Sequence, residues 1–181
     1  MDRRRPEPPS PRLLPADLSE YAPWPEARPH TDRELARLLT LLEDMGVRGG
    51  AVALGHGRDP ASRAAAEAFA DAWQARGGRL AAVVDWPEDA ASWLRQARRL
   101  TEPEPDAWVV AGGPVGWAQM SRRLRHSTAW DPGRTVGFAS TGDSRVAAAV
   151  GPGVLDGMRG ATADGGVWTV GRGWIVESDH A

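Results

Sequence analysis

Cysteine is absent from the 181 residues. Its absence excludes disulfide bonds, thiolate metal sites, cysteine nucleophiles and a lipid anchor attached through a cysteine. Lysine and asparagine are absent as well, so every cationic side chain other than histidine is an arginine. Together with the abundance of alanine, glycine and proline, this usage indicates a GC-rich, actinobacterial genome. The arginines are therefore weak evidence for recognition of phosphate or carboxylate.

Long apolar runs and an excess of one charge are also missing. No stretch reaches the roughly 18 consecutive apolar residues that indicate a transmembrane helix. The first 30 residues carry charges and lack the apolar core of a signal peptide. A formal net charge of −2 and a pI near 6.1 give no electrostatic footprint for nucleic acid. We therefore expect a cytoplasmic protein that binds neither nucleic acid nor membrane.

The N-terminal 30 residues differ in composition from the rest of the chain, because they contain eight of its fifteen prolines. Proline at that density removes backbone donors and blocks helix formation, which predicts a disordered leader over residues 1–30. Order is expected from Thr31, which forms a capping-box signature with Glu34 at the start of an amphipathic segment. We expect residues 31–181 to form a single domain.

Apolar runs then alternate with helical patterns. The apolar runs cover residues 51–54, 80–84, 107–111 and 135–139, and the helical patterns between them cover about 60–76, 88–100 and 115–126. Each apolar run is continuous, as expected for parallel strands that are covered by helices on both faces. The pattern predicts a doubly wound α/β domain with a mostly parallel sheet of about four to five strands. Residues 167–177 alternate around Gly171-Arg172-Gly173, which predicts a C-terminal β-hairpin.

Ligands of open parallel sheets bind beyond the carboxyl ends of the strands, where helix N-termini supply N–H groups. Four loops of this chain are expected at that edge. Their candidate ligand-binding residues are His56, Arg58, Asp85, Trp86, Gly112, Gly113, Trp117, Ser140, Thr141 and Asp143. Arginine and backbone N–H groups suit a carboxylate, acids suit an ammonium group, and the two indoles suit stacking. We expect a small polar ligand such as an amino acid.

The motifs of the common cofactor and hydrolase sites are missing. The glycines near residue 112 do not fit GxGxxG, no GxxxxGK[ST] occurs, and Ser140 does not lie in GxSxG. We therefore expect no cofactor and no catalytic residue. Asp59 stands before Pro60, so at least part of its role is to cap the helix that follows.

An enzymatic alternative comes from the loop Gly55–Asp59. The string LGHGRDP resembles the first strand and loop of the small class II metal chelatases of tetrapyrrole synthesis, in which a histidine at this place helps to bind the metal. The resemblance would give that role to His56. The serine of the family's run is missing, and no second histidine is placed to join it. A metal-chelatase-like enzyme is thus kept as an alternative.

A second resemblance covers more of the chain, from about residue 31 to residue 177. Three stretches carry it: ARLLTLLEDMGVRGGAVALGHGRDPASRAAAEAFADAWQARGGRL, WLRQARRLTEPEPDAWVVAGGPVGWAQMSRRLR and RTVGFASTGDSRVAAAVGPGVLDGMRGATA. In this order they resemble one lobe, the C-terminal one, of a type I periplasmic binding protein of the leucine/isoleucine/valine type, the substrate-binding component of ABC importers. The family binds its ligand between two lobes, and only one is present here.

The resemblance implies a domain without catalysis that binds or senses an amino-acid-like solute. Its exposed half-cleft would be completed by a second lobe or a partner protein. A further alternative is a protein-interaction module derived from such a lobe, which predicts that several of the nine tryptophans are exposed on one face.

Overall fold

A computed structural model of the chain describes residues 17–178. Within that range five α-helices flank a sheet of seven strands. The helices are α1 (Asp32–Asp44), α2 (Pro60–Ala75), α3 (Leu94–Thr101), α4 (Pro114–Ser127) and α5 (Ser144–Val150). The strands are β1 (Ala51–Gly57), β2 (Arg79–Trp86), β3 (Ala107–Ala111), β4 (Thr135–Gly137), β5 (Arg159–Ala161), β6 (Val167–Gly171) and β7 (Trp174–Ser178).

The helix starts are encoded locally. The Thr31 hydroxyl accepts a hydrogen bond from the Glu34 N–H (3.1 Å), and the Glu34 carboxylate accepts one from the Thr31 N–H (3.2 Å), which confirms the capping box. At α2, Asp59 accepts from the Ser62 N–H (2.9 Å) and Pro60 occupies the first helical position. Such caps satisfy N–H groups that have no partner inside the helix.

The strand order is β2-β1-β3-β4-β5-β6-β7. Strands β1 to β5 are parallel, and β6 and β7 continue the sheet as an antiparallel hairpin. The order reverses between β1 and β3, which makes that pair the topological switch point of the sheet. The doubly wound fold and the C-terminal hairpin are thereby confirmed.

Two apolar clusters lie on opposite faces of the sheet. Helices α1 and α2 cover one face, where Leu38, Phe69 and Trp73 pack on β1 and β3. Helices α3, α4 and α5 cover the other face, where Trp117 and Met120 are fully buried. Burial on both faces explains why the strands appear in the sequence as continuous apolar runs.

Two strands are longer than the apolar runs predicted, because β1 extends to Gly57 and β2 to Trp86. Glycine at positions 55 and 57 suggests a loop in the sequence. In the fold these glycines stay in the strand because larger residues occupy the space beside them: a Cβ atom on Gly55 would lie 2.6 Å from the Trp86 ring. His56 and Asp85 are consequently strand residues and not loop residues.

Residues 17–30, which we call the N-terminal strap, pack against the carboxyl edge of the sheet. Leu18 is buried in the cluster under α3 to α5, and Trp24 packs against the same cluster. Composition predicts a disordered leader over residues 1–30 and does not show these contacts, which join residues far apart in the chain. Residues 1–16 lie outside the described part of the chain. None of the helices within residues 17–178 combines the length and apolar content needed to cross a bilayer.

Candidate functional site

A cavity of about 400 Å³ lies at the carboxyl ends of β3 and β4. The first turns of α2 and α4 line it with Ser62, Gly113 and Pro114, and the turn after β4 lines it with Ser140. Helix N-termini present N–H groups and partial positive charge, which favour an anionic group nearby. At both helices a carboxylate of the chain already accepts such an N–H group, Asp59 that of Ser62 and Glu88 that of Gly116.

The remaining lining of the lobe is largely apolar and includes Ala61, Ala65, Phe138 and Ala139. Cavities of a few hundred cubic ångströms with apolar walls and a few polar groups are the usual form of small-molecule sites. The chamber thus has room for one small ligand with an apolar body.

Glu34 supplies a buried negative charge at the cavity. Glu34 is only 3% exposed. One oxygen of its carboxylate accepts a hydrogen bond from the Thr31 N–H (3.2 Å), and the other accepts one from the Ala139 N–H (2.6 Å). Burial raises the pKa of Glu34, and the two N–H donors and His30 oppose that rise. The carboxylate ties the start of α1 to the turn after β4, and this fixes one side of the cavity.

Asp143 and Arg145 stand together at the rim of the cavity. The Asp143 carboxylate accepts a hydrogen bond from the backbone N–H of Arg145 (2.8 Å) and so caps α5. It also forms an ion pair with the Arg145 guanidinium (2.7 Å). Hydrogen bonding to Asp143 raises the pKa of Arg145 above its ordinary value. The pair brings both signs of charge to the rim.

The switch point between β1 and β3 is occupied by the chain itself. The loop after β2 turns the carboxylate of Glu88 onto the N-terminus of α4, where it accepts the Gly116 N–H at 2.6 Å. Glycines 57, 113 and 116 surround it, and a Cβ atom on Gly116 would lie 2.8 Å from the Glu88 oxygen. Because Glu88 fills this position, the open cavity lies beside the switch point and not in it.

Glu88 is electrostatically strained. Its Oε1 and the Oδ2 of Asp59 are both buried without a hydrogen-bond partner in the described part of the chain, and both lie beside Gly57. Burial raises the pKa of Glu88, the Gly116 N–H lowers it, and the Asp59 carboxylate raises it again. The neutral form of Glu88 is therefore favoured in the folded state relative to the unfolded chain.

A pH-dependent stability follows from Glu88. Because the pKa is raised on folding, this carboxyl group destabilises the fold as the pH rises above about 4.5, the ordinary glutamate value. We expect Glu88→Gln to increase the free energy of unfolding by about 1 kcal/mol at pH 7, since the amide is neutral and can donate a hydrogen bond. The gain should vanish near pH 4. Urea unfolding at both pH values measures it.

Glu67→Gln is the matched control, because Glu67 is exposed on α2. It should leave the pH dependence of unfolding as in the unaltered protein. An equal gain for Glu88→Gln at pH 4 and pH 7 would contradict the account of Glu88 given above.

Trp86 and Trp117, expected at strand-end loops as stacking residues, are core residues. Both are 0% exposed, and their rings lie 6.0 Å apart under α4. No ligand can stack on either ring in this structure. Glycine at 55 and 112 allows the indole of Trp86 to fold inward, since a Cβ on either glycine would lie within about 3.1 Å of that ring.

The other predicted residues separate into two groups. Gly113, Ser140 and Asp143 line the cavity, whereas Gly112 is buried against Trp86. Thr141 is 1% exposed, and its hydroxyl donates to the Phe138 carbonyl at 2.7 Å, so it shapes the turn that carries Ser140.

His56, Arg58 and Asp85 lie away from the cavity. His56 and Asp85 are register partners on β1 and β2 and line a separate, shallow groove of about 410 Å³ beside α2. The His56 ring is hydrogen-bonded to the Gly57 carbonyl (2.7 Å), and Asp85 forms an exposed ion pair with Arg58 (3.0 Å). The four strand-end loops therefore do not converge on one concavity, because β1 and β2 continue through two of them.

The enzymatic alternative finds one carboxylate beside His56, that of its register partner Asp85 in the shallow groove. Within residues 17–178 no group of three or more histidine, aspartate and glutamate side chains is placed to hold a metal ion. Of the nine tryptophans only Trp174 is exposed, at 73%, while seven are buried and Trp24 is half-buried. The tryptophans form the core and do not form an interaction face.

Several residues of the cavity were missed by sequence reasoning. They are the strap residues 25–30, Glu34, Ser62 and Arg145. Glu34 and Ser62 were hidden by their capping positions, because a cap explains such residues without a ligand. The only signal for the strap was its pair of aromatic residues, Tyr21 and Trp24, in an otherwise apolar-poor segment.

No protein-family model matches the chain, and no curated protein matches it significantly. Solved structures do resemble it. A substrate-binding periplasmic protein from Ralstonia solanacearum superposes with a TM-score of 0.63 at 16% identity, over 75% of this chain and 37% of that one. A protein from Rhodospirillum rubrum described as a branched-chain amino acid ABC transporter gives 0.59 at 19% identity, over 71% and 36%.

An extracellular ligand-binding receptor from Verminephrobacter eiseniae gives a TM-score of 0.61 at 16% identity, over 74% of this chain and 37% of the receptor. The chain thus spans slightly more than a third of the length of these structures. The comparisons confirm the resemblance at the level of fold: this chain has the fold of a single periplasmic-binding-protein lobe. These structural neighbours are binding or receptor proteins and not enzymes.

The expected cytoplasmic location is wrong by the same comparison. The structures just described are periplasmic or extracellular proteins where their location is stated. The expectation depended only on absences, namely of a signal peptide and of a cysteine for lipid attachment, and such absences do not determine where a chain of this fold works.

Proposed function

We propose that this chain is a non-enzymatic solute-binding domain and that the cavity at the carboxyl ends of β3 and β4 takes one small amino-acid-like molecule. The observation that carries the proposal is the composition of that cavity. Polar turns of α2 and α4, and charges of both signs, surround a largely apolar chamber of about 400 Å³.

The arrangement suits a zwitterion with an apolar side chain. Its carboxylate would face the hydroxyl of Ser140 and the guanidinium groups of Arg28 and Arg145, and its side chain would pack against Phe138, all of which line the cavity. The carboxylates of Glu34 and Asp143 would balance an ammonium group. Apolar lining fits an aliphatic amino acid better than a sugar, which needs hydrogen bonds on every side.

The charged groups support binding and not catalysis. Glu34 is engaged by two backbone N–H groups, and Asp143 by Arg145 and the start of α5. A general base must lie within hydrogen-bond reach of the proton that it abstracts, and a nucleophile needs such a base beside it. Both carboxylates have structural partners in place of a nucleophile, so the proposed function contains no chemical step.

The proposal extends to the setting in which the domain works. The branched-chain amino acid transport proteins and the extracellular receptor that share its fold suggest a place outside the cytoplasm and a link to an ABC importer or a receptor. In that setting a second lobe or a partner protein would face the carboxyl edge of the sheet.

The proposal predicts a ligand-dependent thermal shift. Saturation with L-leucine, L-isoleucine or L-valine at about 100 times the dissociation constant should add roughly 2.7 kcal/mol. At about 2–4 °C per kcal/mol for a domain of this size, the unfolding midpoint should rise by several degrees. Differential scanning calorimetry measures the rise, with D-glucose and cobalt chloride as comparison solutes.

Two variants locate the effect. Ser140→Leu adds bulk inside the cavity and should abolish the shift, while its own midpoint without ligand reports whether it is folded. His56→Ala lies in the separate groove and should keep the shift. If only cobalt raised the midpoint and His56→Ala abolished that rise, the solute-binding proposal would fail in favour of the chelatase alternative.

A further inference from the structure

We infer that the N-terminal strap is the second wall of the binding site, held closed by Arg145, and that a ligand leaves the cavity only when the strap loosens. The inference rests on the proposed function above. It assigns part of the site to a segment outside the α/β lobe, and it gives Arg145 the role of a positioning residue.

The strap supplies a continuous side of the cavity. All six residues from Pro25 to His30 line it, facing the helix turns of the lobe across the chamber. A single lobe has only one wall at the carboxyl edge of its sheet. With the strap in place a small molecule is enclosed on two sides, and enclosure is what lets a cavity bury most of a ligand's surface.

Both ends of the strap are anchored on the lobe. At the first end Leu18 is 9% exposed and Trp24 packs on the same core cluster. At the second end the Thr31 hydroxyl donates a hydrogen bond to the Ala163 carbonyl (2.5 Å). The His30 ring packs edge-on against the Phe138 ring, with the two ring centres 5.9 Å apart.

The middle of the strap has no comparable attachment. Within the described chain no hydrogen bond joins residues 25–29 to the lobe, and all five residues are exposed. Segments with few buried contacts and no backbone hydrogen bonds open at the lowest free energy. A strap fixed at two ends with a loosely held middle can open without unfolding the sheet.

Arg145 connects the lobe to the strap by two kinds of contact. Its Nη1 donates to the carbonyls of Pro23 (2.8 Å) and Tyr21 (3.3 Å). Its guanidinium carbon lies 5.0 Å from the centre of the Trp24 ring, a cation–π distance. Its Nε and Nη2 are held by Asp143 at 3.0 and 2.7 Å, which orients the fork towards the strap.

The planar fork of arginine makes this connection specific. Lysine has a single ammonium group and cannot pair with Asp143, reach two carbonyls and stack on an indole at once. Arg145 lies in the first turn of α5, at the rim of the cavity, and therefore couples that rim to the strap. The strap in turn brings Glu26, Arg28 and His30 to the ligand, so it contributes to the choice of ligand.

The test uses the full chain and two readouts. Limited chymotrypsin digestion, followed by mass spectrometry, reports cleavage after Tyr21 and hence opening of the strap without any ligand. Stopped-flow dilution reports the dissociation rate of L-leucine. Arg145→Ala should accelerate both rates at least tenfold, and Arg145→Lys should give an intermediate effect.

Trp24→Ala provides a second route, because it loosens the strap without altering α5. It should reproduce both effects of Arg145→Ala. Arg58→Ala removes an arginine from an exposed ion pair that does not line the cavity and should change neither rate.

The outcomes separate this inference from the proposed function. If the unaltered protein binds L-leucine and loosening the strap leaves its dissociation rate unchanged, the strap is not a wall of the site. Equal cleavage after Tyr21 in all variants would show that Arg145 does not hold the strap. If the unaltered protein binds none of the three amino acids, the proposed function fails and the role of the strap as a wall fails with it.

Discussion

Replacing Trp117 by alanine is expected to lower the free energy of unfolding by about 3–5 kcal/mol, the usual cost of truncating a large buried aromatic residue. Trp117 is 0% exposed and stands between Trp86 and Trp130, with ring centres 6.0 Å away on each side. Alanine would leave a void at the centre of the core under α4. Guanidinium unfolding followed by circular dichroism measures the loss.

Trp174→Ala is the matched control. Trp174 is 73% exposed on β7, and its removal should change stability by no more than about 0.5 kcal/mol. The pair of variants also tests the sequence hypothesis that Trp117 stacks on a ligand. A stable Trp117→Ala protein that had lost only its thermal response to amino acids would restore that hypothesis and contradict the structure.

Gly160→Ala is expected to lower the free energy of unfolding by about 3 kcal/mol, the upper end of the usual loss when a methyl group is added to a well-packed core. Gly160 lies on β5 between its register partners Gly137 and Trp168. A Cβ atom there would stand 2.1 Å from the Gly137 carbonyl oxygen and 2.2 Å from the Trp168 ring. A backbone carbonyl in a parallel ladder cannot move aside without loss of the β4–β5 pairing. The midpoint of urea unfolding reports the effect.

Gly171→Ala is the control for this second substitution. Gly171 also lies in a strand of the same sheet, and no atom comes within 4 Å of the Cβ that it would gain. We expect its unfolding midpoint to stay close to that of the unaltered protein. Similar losses at the two positions would show that strand glycines matter here through chain entropy and not through the packing of Trp168.

Packing of Trp86 against glycine explains the errors of interpretation at the ends of β1 and β2. The Trp86 indole lies over Gly55 and Gly112. In the sequence, such glycines look like turns and the tryptophans after strands look like loop residues. In the structure the absence of a side chain at these glycines makes room for the Trp86 indole. Strands β1 and β2 therefore continue past the predicted loops, and Trp86 and Gly112 are buried instead of facing a ligand.

The cavity lies at the edge of the sheet that strand order indicates, and only part of its lining was among the candidate residues. Parallel strands place their carboxyl ends at one edge, so strand order alone was enough to expect Gly113, Ser140 and Asp143 there. The strap was not found, because its proline content gives the same signal whether the segment is loose or packed. Glu88 was not found either, since its role depends on a loop whose path brings it to the start of α4.

The sequence by itself determined the doubly wound fold, the capped helices and the edge of the sheet to which the strand-end residues belong. Those features depend on local periodicity, on caps three residues apart and on the fixed direction of parallel strands. The tertiary structure alone decided which part of that edge is open. Glu88 fills the switch point, the Trp86 indole turns inward over two glycines, and Arg145 contacts the strap beside the cavity. Each of these arrangements joins residues far apart in the chain, and such contacts depend on the three-dimensional path and leave no local periodic signal.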